Sequence, residues 1–284
     1  MYLFGPLRRR NGRDSRPSVP ILMYHSISRG EERGVHPYFR IRTAPETFVQ
    51  QMQLLRDHGY RSVDLEQAVA ILAGRMTPAD KPVVLTFDDG FRDFYQEAFP
   101  VLERYGLTAT VYLPTAYIGD SAPAFSGQQC LTWSQVRELH AHGIQFGSHT
   151  VTHPLLQSLP RAGVERELRD SKAILENQLS APVTSFAYPY AFPQTNSDFR
   201  SFLRETLAAC GYRNGVSTIL GTAGAGDDVF FLRRLPVNSD DDPRFFRSKL
   251  DGGYDWLEKF QGSFKRVKRL VAPSAAQSGI QTAS

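Results

Sequence analysis

The sequence predicts an α/β fold, a barrel of seven or eight parallel strands with helices outside. Three observations carry this. Stretches with helical apolar spacing end at a glycine, and a short apolar run of strand length follows each. The alternation continues from residue 18 to 260 without a linker, which favours one barrel over two smaller domains. A chain of 284 residues, 41% hydrophobic and 22% charged, has the size and composition to bury such a core.

The elements follow in order. Residues 20–24 (PILMY) read as the first strand. Phe48, Met52 and Leu55 share a helical face that ends before Gly59, and 61–63 is the next strand. Residues 82–87 form an apolar strand. The helical pattern of 91–105 stops at Gly106 and leads into a strand at 108–113. The pattern of 133–142 stops at Gly143 and leads into 144–146. A strand is expected at 185–188. Residues 197–210 are helical up to Gly211, with strands at 214–217 and 231–237. Residues 221–226 (GTAGAG) read as a flexible loop, since no strand-then-helix frame with a following Lys marks them as a phosphate loop.

The net charge of +4 resides in the ends. Residues 1–17 hold Arg8, Arg9, Arg10, Arg13 and Arg16 against one acid, and 261–284 hold Lys265, Arg266, Lys268 and Arg269 against none, so the middle is net acidic. The expected organisation is a basic segment 1–17, a domain 18–260 and a basic, disordered tail 261–284. Solvated ends are the plainer reading. Peripheral contact with anionic lipid is the alternative, and no nucleic-acid partner is expected. No apolar run nears the ~20 residues of a membrane span. The order at the start, apolar then basic, is the reverse of a secretory signal, so a cytoplasmic or inner-membrane-face location is expected. Cys130 and Cys210 imply no disulfide framework, and Cys210 reads as a buried core thiol.

The chemistry concentrates in two segments. PVVLTFDDG (82–90) places Asp88 and Asp89 at the end of an apolar run. Within a strand two adjacent acids point to opposite faces, but where the chain turns both can reach one site. FGSHTVTHP (146–154) holds His149 and His153 four apart, a spacing that puts two imidazoles on one face of a single helical turn after a strand. Pro154 argues against a longer helix. Alone, Asp-Asp-Gly is a turn and the His pair is unliganded. Together, both at strand ends, they form a set suited to a divalent transition metal.

These segments, with SFAYPY (185–190), resemble the motifs of the polysaccharide deacetylase family, also called the NodB-homology or carbohydrate esterase family 4 domain. The resemblance spans about residues 18 to 250. It implies a distorted (β/α) barrel and metal-dependent removal of N-acetyl groups from sugar polymers. It implies Asp88 as catalytic base, Asp89, His149 and His153 as metal ligands, and the Tyr190 backbone N–H as an oxyanion donor. VPILMYH (19–25) resembles an early motif of the branch acting on biofilm and exopolysaccharide poly-N-acetylglucosamine, where the His is the catalytic acid, here His25. The more usual late His is absent from RLPVN (234–238). The third motif usually has an Arg after its Phe, where this chain has Ala187. Arg233 or Arg234, with Arg234 preferred, is expected to supply that guanidinium. Tyr188 and Tyr190 either line a sugar groove or pack. His36, His58, His140 and His142 read as surface residues and Trp133 as core.

The expectation is a metal-dependent hydrolase taking N-acetyl groups from N-acetylhexosamine units of a bacterial polysaccharide or its lipid-linked precursor. One divalent ion is expected, Zn2+ first, with Co2+ or Ni2+ as alternatives. Its partner is an N-acetylated glycan. A hydrolase of another acyl or amide group, or a non-catalytic glycan-binding protein, are the rival readings.

Overall fold

The computed structural model describes residues 16–30, 32, 34, 40–78 and 80–253. Most of the basic segment 1–17, His36, residues 254–260 and the tail 261–284 therefore lie outside the described residues. Eight parallel strands follow in chain order: β1 (Ile21–Tyr24), β2 (Tyr60–Ser62), β3 (Lys81–Phe87), β4 (Thr110–Leu113), β5 (Gln145–Ser148), β6 (Ser185–Ala187), β7 (Asn214–Leu220) and β8 (Leu232–Pro236). Seven of them close a barrel in the order β1-β8-β7-β6-β5-β4-β3. The ring closes where β1 pairs with the second half of β3, Ile21 opposite Val84 through Tyr24 opposite Phe87. The short β2 pairs with the first half of β3, Tyr60 opposite Lys81.

Alternation along the strands divides the core into two layers. Leu22, Tyr24, Val83, Leu85, Phe87, Val111, Leu113 and Phe186 face outward and pack under the helices. Ile21, Val84, Tyr112, Ala187, Val216 and Leu232 belong to a separate inner cluster. That cluster includes Leu65, Ala68, Ile71 and Leu72 of helix α2 (Leu65–Leu72), so this helix plugs the N-terminal end of the barrel. The catalytic candidates gather at the other end, where the strands finish.

Helix α1 (Pro45–Asp57) starts with Pro at its first position and buries Phe48, Gln51, Met52 and Leu55. A capping box of Asp64 and Gln67 starts α2, and another of Thr132 and Gln135 starts α4 (Trp133–Ala141). Trp133 opens α4 and packs half-buried against the core. The helix expected over 91–105 is divided. Phe91 bridges to Cys130, a wide π turn spans Phe94–Ala98, and only α3 (Phe99–Tyr105) is regular. Pro100 explains the break, because it has no N–H to bond the preceding turn. Helices α5 (Arg161–Leu179) and α7 (Pro243–Leu250) were not expected from sequence. Helix α6 (Ser197–Ala209) was, with Asn196 capping it.

Two further expectations are corrected. The loop 221–226 is not free coil, since Ala223 and Gly224 pair antiparallel with Val19 and Ser18. Cys210 caps α6 half-buried, not inside the core, because it falls one residue past the helix where the chain turns at Gly211. Both cysteines are free.

Backbone crowding in β7 yields a prediction. A Cβ on Gly215 would lie 2.6 Å from the Phe230 carbonyl oxygen and 3.1 Å from that of Phe186. Gly215→Ala should destabilise the protein by about 1–3 kcal/mol in urea unfolding. Gly163→Ala, in α5, meets nothing nearer than 3.5 Å and should be neutral or stabilising.

Candidate active site

β3 ends at Phe87, and the two acids follow. The Asp88 N–H still donates to the Tyr24 carbonyl at 3.0 Å, so Asp88 keeps the inward phase of Val84 and Thr86. The chain then reverses, with φ of 72° at Asp89 and 61° at Gly90. A short polar side chain tolerates this left-handed conformation. Gly90 is needed as well, because a Cβ there would sit 2.5 Å from Leu113. The reversal brings both carboxylates into one mouth.

The histidine segment follows β5. The His149 N–H donates to the Leu113 carbonyl at 3.0 Å. The expected helical turn over 149–153 does not form. Pro154 disfavours right-handed helical backbone at His153, and Thr150 and His153 take φ of 70° and 54°. The loop is braced from α5. Glu167 accepts hydrogen bonds from the Val151 N–H (2.7 Å), the Thr152 N–H (2.9 Å) and the Thr152 hydroxyl (2.7 Å). Ser171 bonds Ser148 at 2.7 Å.

Three donor atoms converge. His149 Nε2 and His153 Nε2 are 3.2 Å apart, and Asp89 Oδ1 lies 3.5 Å from the first and 3.4 Å from the second. A tetrahedral ion with bonds of ~2.0–2.1 Å separates its ligand atoms by roughly 3.3 Å. Asp89 Oδ1 is buried and has no hydrogen-bond partner, a costly state that a cation would relieve. The residues fit one metal ion. His149 Nδ1 is fixed by the Ala187 carbonyl at 2.8 Å.

Asp88 sits beside this set, not in it. Its Oδ2 is 4.0 Å from His149 Nε2 and 4.0 Å from His25 Nε2. Arg234, with no exposed surface, grips Asp88 through both terminal nitrogens at 2.7 and 2.8 Å. Its Nε donates to the Ser217 carbonyl at 2.9 Å, and Nη1 also reaches the Thr86 hydroxyl at 3.2 Å. Arg233 instead pairs with Asp227.

The aromatic candidates separate. Tyr190, φ 57° and 55% exposed, lays its ring against His153 with centroids 4.6 Å apart. Phe125, on the 119–130 loop, also packs against that imidazole, with centroids 4.9 Å apart. Tyr188 lines no groove. It is buried against Phe192, because one position beyond the inward Ala187 it faces the helices. His58 and His140 are half-buried and His142 is exposed, all remote from the mouth. Sequence reasoning missed Glu167 and Phe125. No local signal marks either, since each acts across a long chain separation.

Electrostatics divides the two acids. Burial raises Asp88, but the Arg234 charge, His149 and the Arg234 hydrogen bonds outweigh it and hold the carboxyl well below the usual range. Burial and the charge of Asp88 push Asp89 well above it. Burial lowers His149, lowers His153 to about 3 and lowers His25 to about 4. The imidazoles are therefore neutral at neutral pH, as ligands must be. His25 is neutral too, so it is not the standing imidazolium that an acid role would first suggest.

The polysaccharide deacetylase family profile matches residues 75–215. The match includes both acids and both histidines and leaves out His25 and Arg234. YxkH of Bacillus subtilis (strain 168), which bears a polysaccharide deacetylase name, is 34% identical over 223 residues, 78% of this chain and 71% of that protein. The solved Streptococcus pyogenes deacetylase PplD, in complex with acetate, aligns at a TM-score of 0.72 and 30% identity, covering 83% of this chain and 99% of that one. The poly-beta-1,6-N-acetyl-D-glucosamine N-deacetylase of Escherichia coli (strain K12) is 29% identical over 140 residues, 45% of this chain but 20% of that protein.

Two outcomes are expected. Arg234→Met leaves Asp88 buried without its counter-charge and should cost about 3–5 kcal/mol in urea unfolding. The pH dependence follows from the imidazoles. A pKa depressed by folding contributes stability that is complete above the unfolded value, about 6.5, and is lost as pH falls toward the folded value. Asp89, with its raised pKa, works in the opposite direction as pH falls, so the readout is a difference: in thermal melts of chelator-treated protein, His153→Phe should gain stability relative to wild type as pH falls from about 6.5 to 4.

Proposed function

The chain belongs to the polysaccharide deacetylase family, and we propose that it is a metal-dependent enzyme removing N-acetyl groups from N-acetylhexosamine units of a bacterial polysaccharide or its lipid-linked precursor. One observation carries the reading: three buried donor atoms 3.2 to 3.5 Å apart lie beside a carboxylate clamped by a buried guanidinium. The name of the E. coli protein supports the substrate class, and the acetate bound to the S. pyogenes deacetylase supports the acyl group.

Asp89, His149 and His153 would hold one divalent ion, Zn2+ by donor type, with Co2+ and Ni2+ accepted by the same set. Such an ion supplies Lewis acidity and a water whose pKa is brought near neutrality. Asp88 takes the proton of the attacking water. Its clamp lowers its basicity but fixes its direction, which favours transfer within a prealigned complex. The Tyr190 N–H bonds no acceptor among the described residues and is available to the oxyanion. His25, 4.0 Å from Asp88, receives a proton within the site and delivers it to the amine nitrogen as the C–N bond breaks, so its charge is transient. Tyr190, exposed at the mouth, offers a face for a sugar ring. Tyr188 drops out of this role.

Acetate and free-amine release from N-acetylglucosamine oligomers tests the reading. Wild-type protein should release both in equal amounts, and chelator should stop release until Zn2+ or Co2+ is returned. Asp88→Asn should keep metal, measured by elemental analysis, and lose at least about 10²–10⁴-fold in rate. His149→Ala should lose both metal and rate. Acetate released without amine would point to an O-acetyl ester as substrate. A fully active Asp88→Asn protein would sink the assignment of the base.

A further inference from the structure

The two histidines of the cluster are held in different ways. His149 is fixed through its second ring nitrogen, which bonds the Ala187 carbonyl at 2.8 Å. This is the usual device by which proteins orient a metal-binding imidazole. His153 has no such support. Its Nδ1 is buried without a hydrogen-bond partner, and the rings of Phe125, Tyr190 and His149 flank it. Flat ring contacts limit where a ring can lie, but they do not set its direction as a hydrogen bond does. The direction of His153 must therefore come from its backbone.

That backbone is not in a conformation it would adopt unaided. Thr150, which is β-branched, and His153 both have left-handed φ. The Thr115 and Ala116 N–H groups hold the Thr150 and Val151 carbonyls at 3.1 and 2.9 Å, and two side chains satisfy the N–H groups of the loop. The Thr150 hydroxyl accepts the His153 N–H at 3.0 Å, and Glu167 accepts the Val151 and Thr152 N–H groups and the Thr152 hydroxyl. Glu167 thus satisfies both backbone donors between the two strained residues from a helix outside the barrel. Four residues on, Ser171 holds Ser148, so one face of α5 grips the loop at both ends.

We propose that Glu167 is a positioning residue for metal binding, acting through the backbone of residues 151–152 on the direction of His153. The inference rests on the metal reading of the Asp89, His149 and His153 cluster. Glu167 itself touches none of the three donor atoms.

The test is metal affinity, measured by competition of Zn2+ and Co2+ against a chromophoric chelator. Glu167→Met keeps the length of the side chain but offers no acceptor to the two N–H groups that one carboxylate oxygen now takes or to the hydroxyl on the other. It should weaken binding 10–100-fold, the usual effect of removing a group that orients a ligand. The Co2+ visible spectrum should change shape, while the circular dichroism of the metal-free protein stays as in wild type. A purely structural role would lower the metal-free melting temperature and leave the dissociation constant within twofold, and that result overturns the proposal. If Glu167→Met does not fold, Glu167→Asp replaces it, with several-fold weakening expected and affinity within twofold again decisive against. Wild-type protein that takes up no ion would overturn both the proposal and the reading beneath it. Equal affinity in wild type and variant overturns the proposal alone.

Discussion

The Arg234 guanidinium lies inside the barrel with no solvent contact, and a charge in that position is tolerated only when its N–H groups are filled. Asp88 takes two bonds, the Ser217 carbonyl takes Nε, and the Thr86 hydroxyl takes a share of Nη1. These partners come from β7 and from the end of β3 with the residue after it, and Arg234 from β8, so one side chain ties three strands. The β7–β8 register shifts between Val216 and Leu220, which spans Ser217. A carbonyl at such an irregularity is released from the ladder and can turn inward. The distortion of the barrel and the filling of the guanidinium are thus one arrangement.

From this clamp follows the difference between two adjacent residues of the same type. Asp88 has a full counter-charge and remains ionised, whereas Asp89 inherits a buried position next to that ionised neighbour and is driven the other way. The left-handed turn at Asp89 then aims its unpartnered oxygen at two imidazoles that burial keeps neutral. A cation is the species that lowers the energy of all three groups at once. The division of labour comes from where the strand stops and from which acid Arg234 can reach.

The parts of this site that could be read from the chain are those written in consecutive residues. Asp88, Asp89, His149 and His153 each follow an apolar run, so strand ends and chemistry appear together. The alternating helices and strands gave the barrel for the same reason. What could not be read depends on phase or on distance. Tyr188 was open between groove and packing because an aromatic next to proline carries no sign of which way it faces, and Ala187 inward puts Tyr188 outward. The turn carrying His153 looked helical because spacing alone cannot report a positive φ. Helix α5 carries a stripe of Val164, Leu168, Leu175 and Leu179, but the polar Ser171 stands in its middle and masks it, and with it Glu167 stayed out of view. Arg234 was separable from Arg233 only weakly, and in the fold the two neighbours meet different acids, Asp88 and Asp227.

Ala187 stands where the resemblance would place an arginine, and Arg234 enters the same mouth from two strands further round the barrel. The small side chain leaves the inner face open there, while the Ala187 carbonyl is still engaged by His149. A closed ring makes such an exchange geometrically cheap, since every inward position near the rim is roughly as close to the axis as any other. The cation is then a location in space with no fixed address in the chain. A comparison that scans contiguous motifs scores this protein as lacking a part, while one that asks what surrounds Asp88 finds that part present and paired.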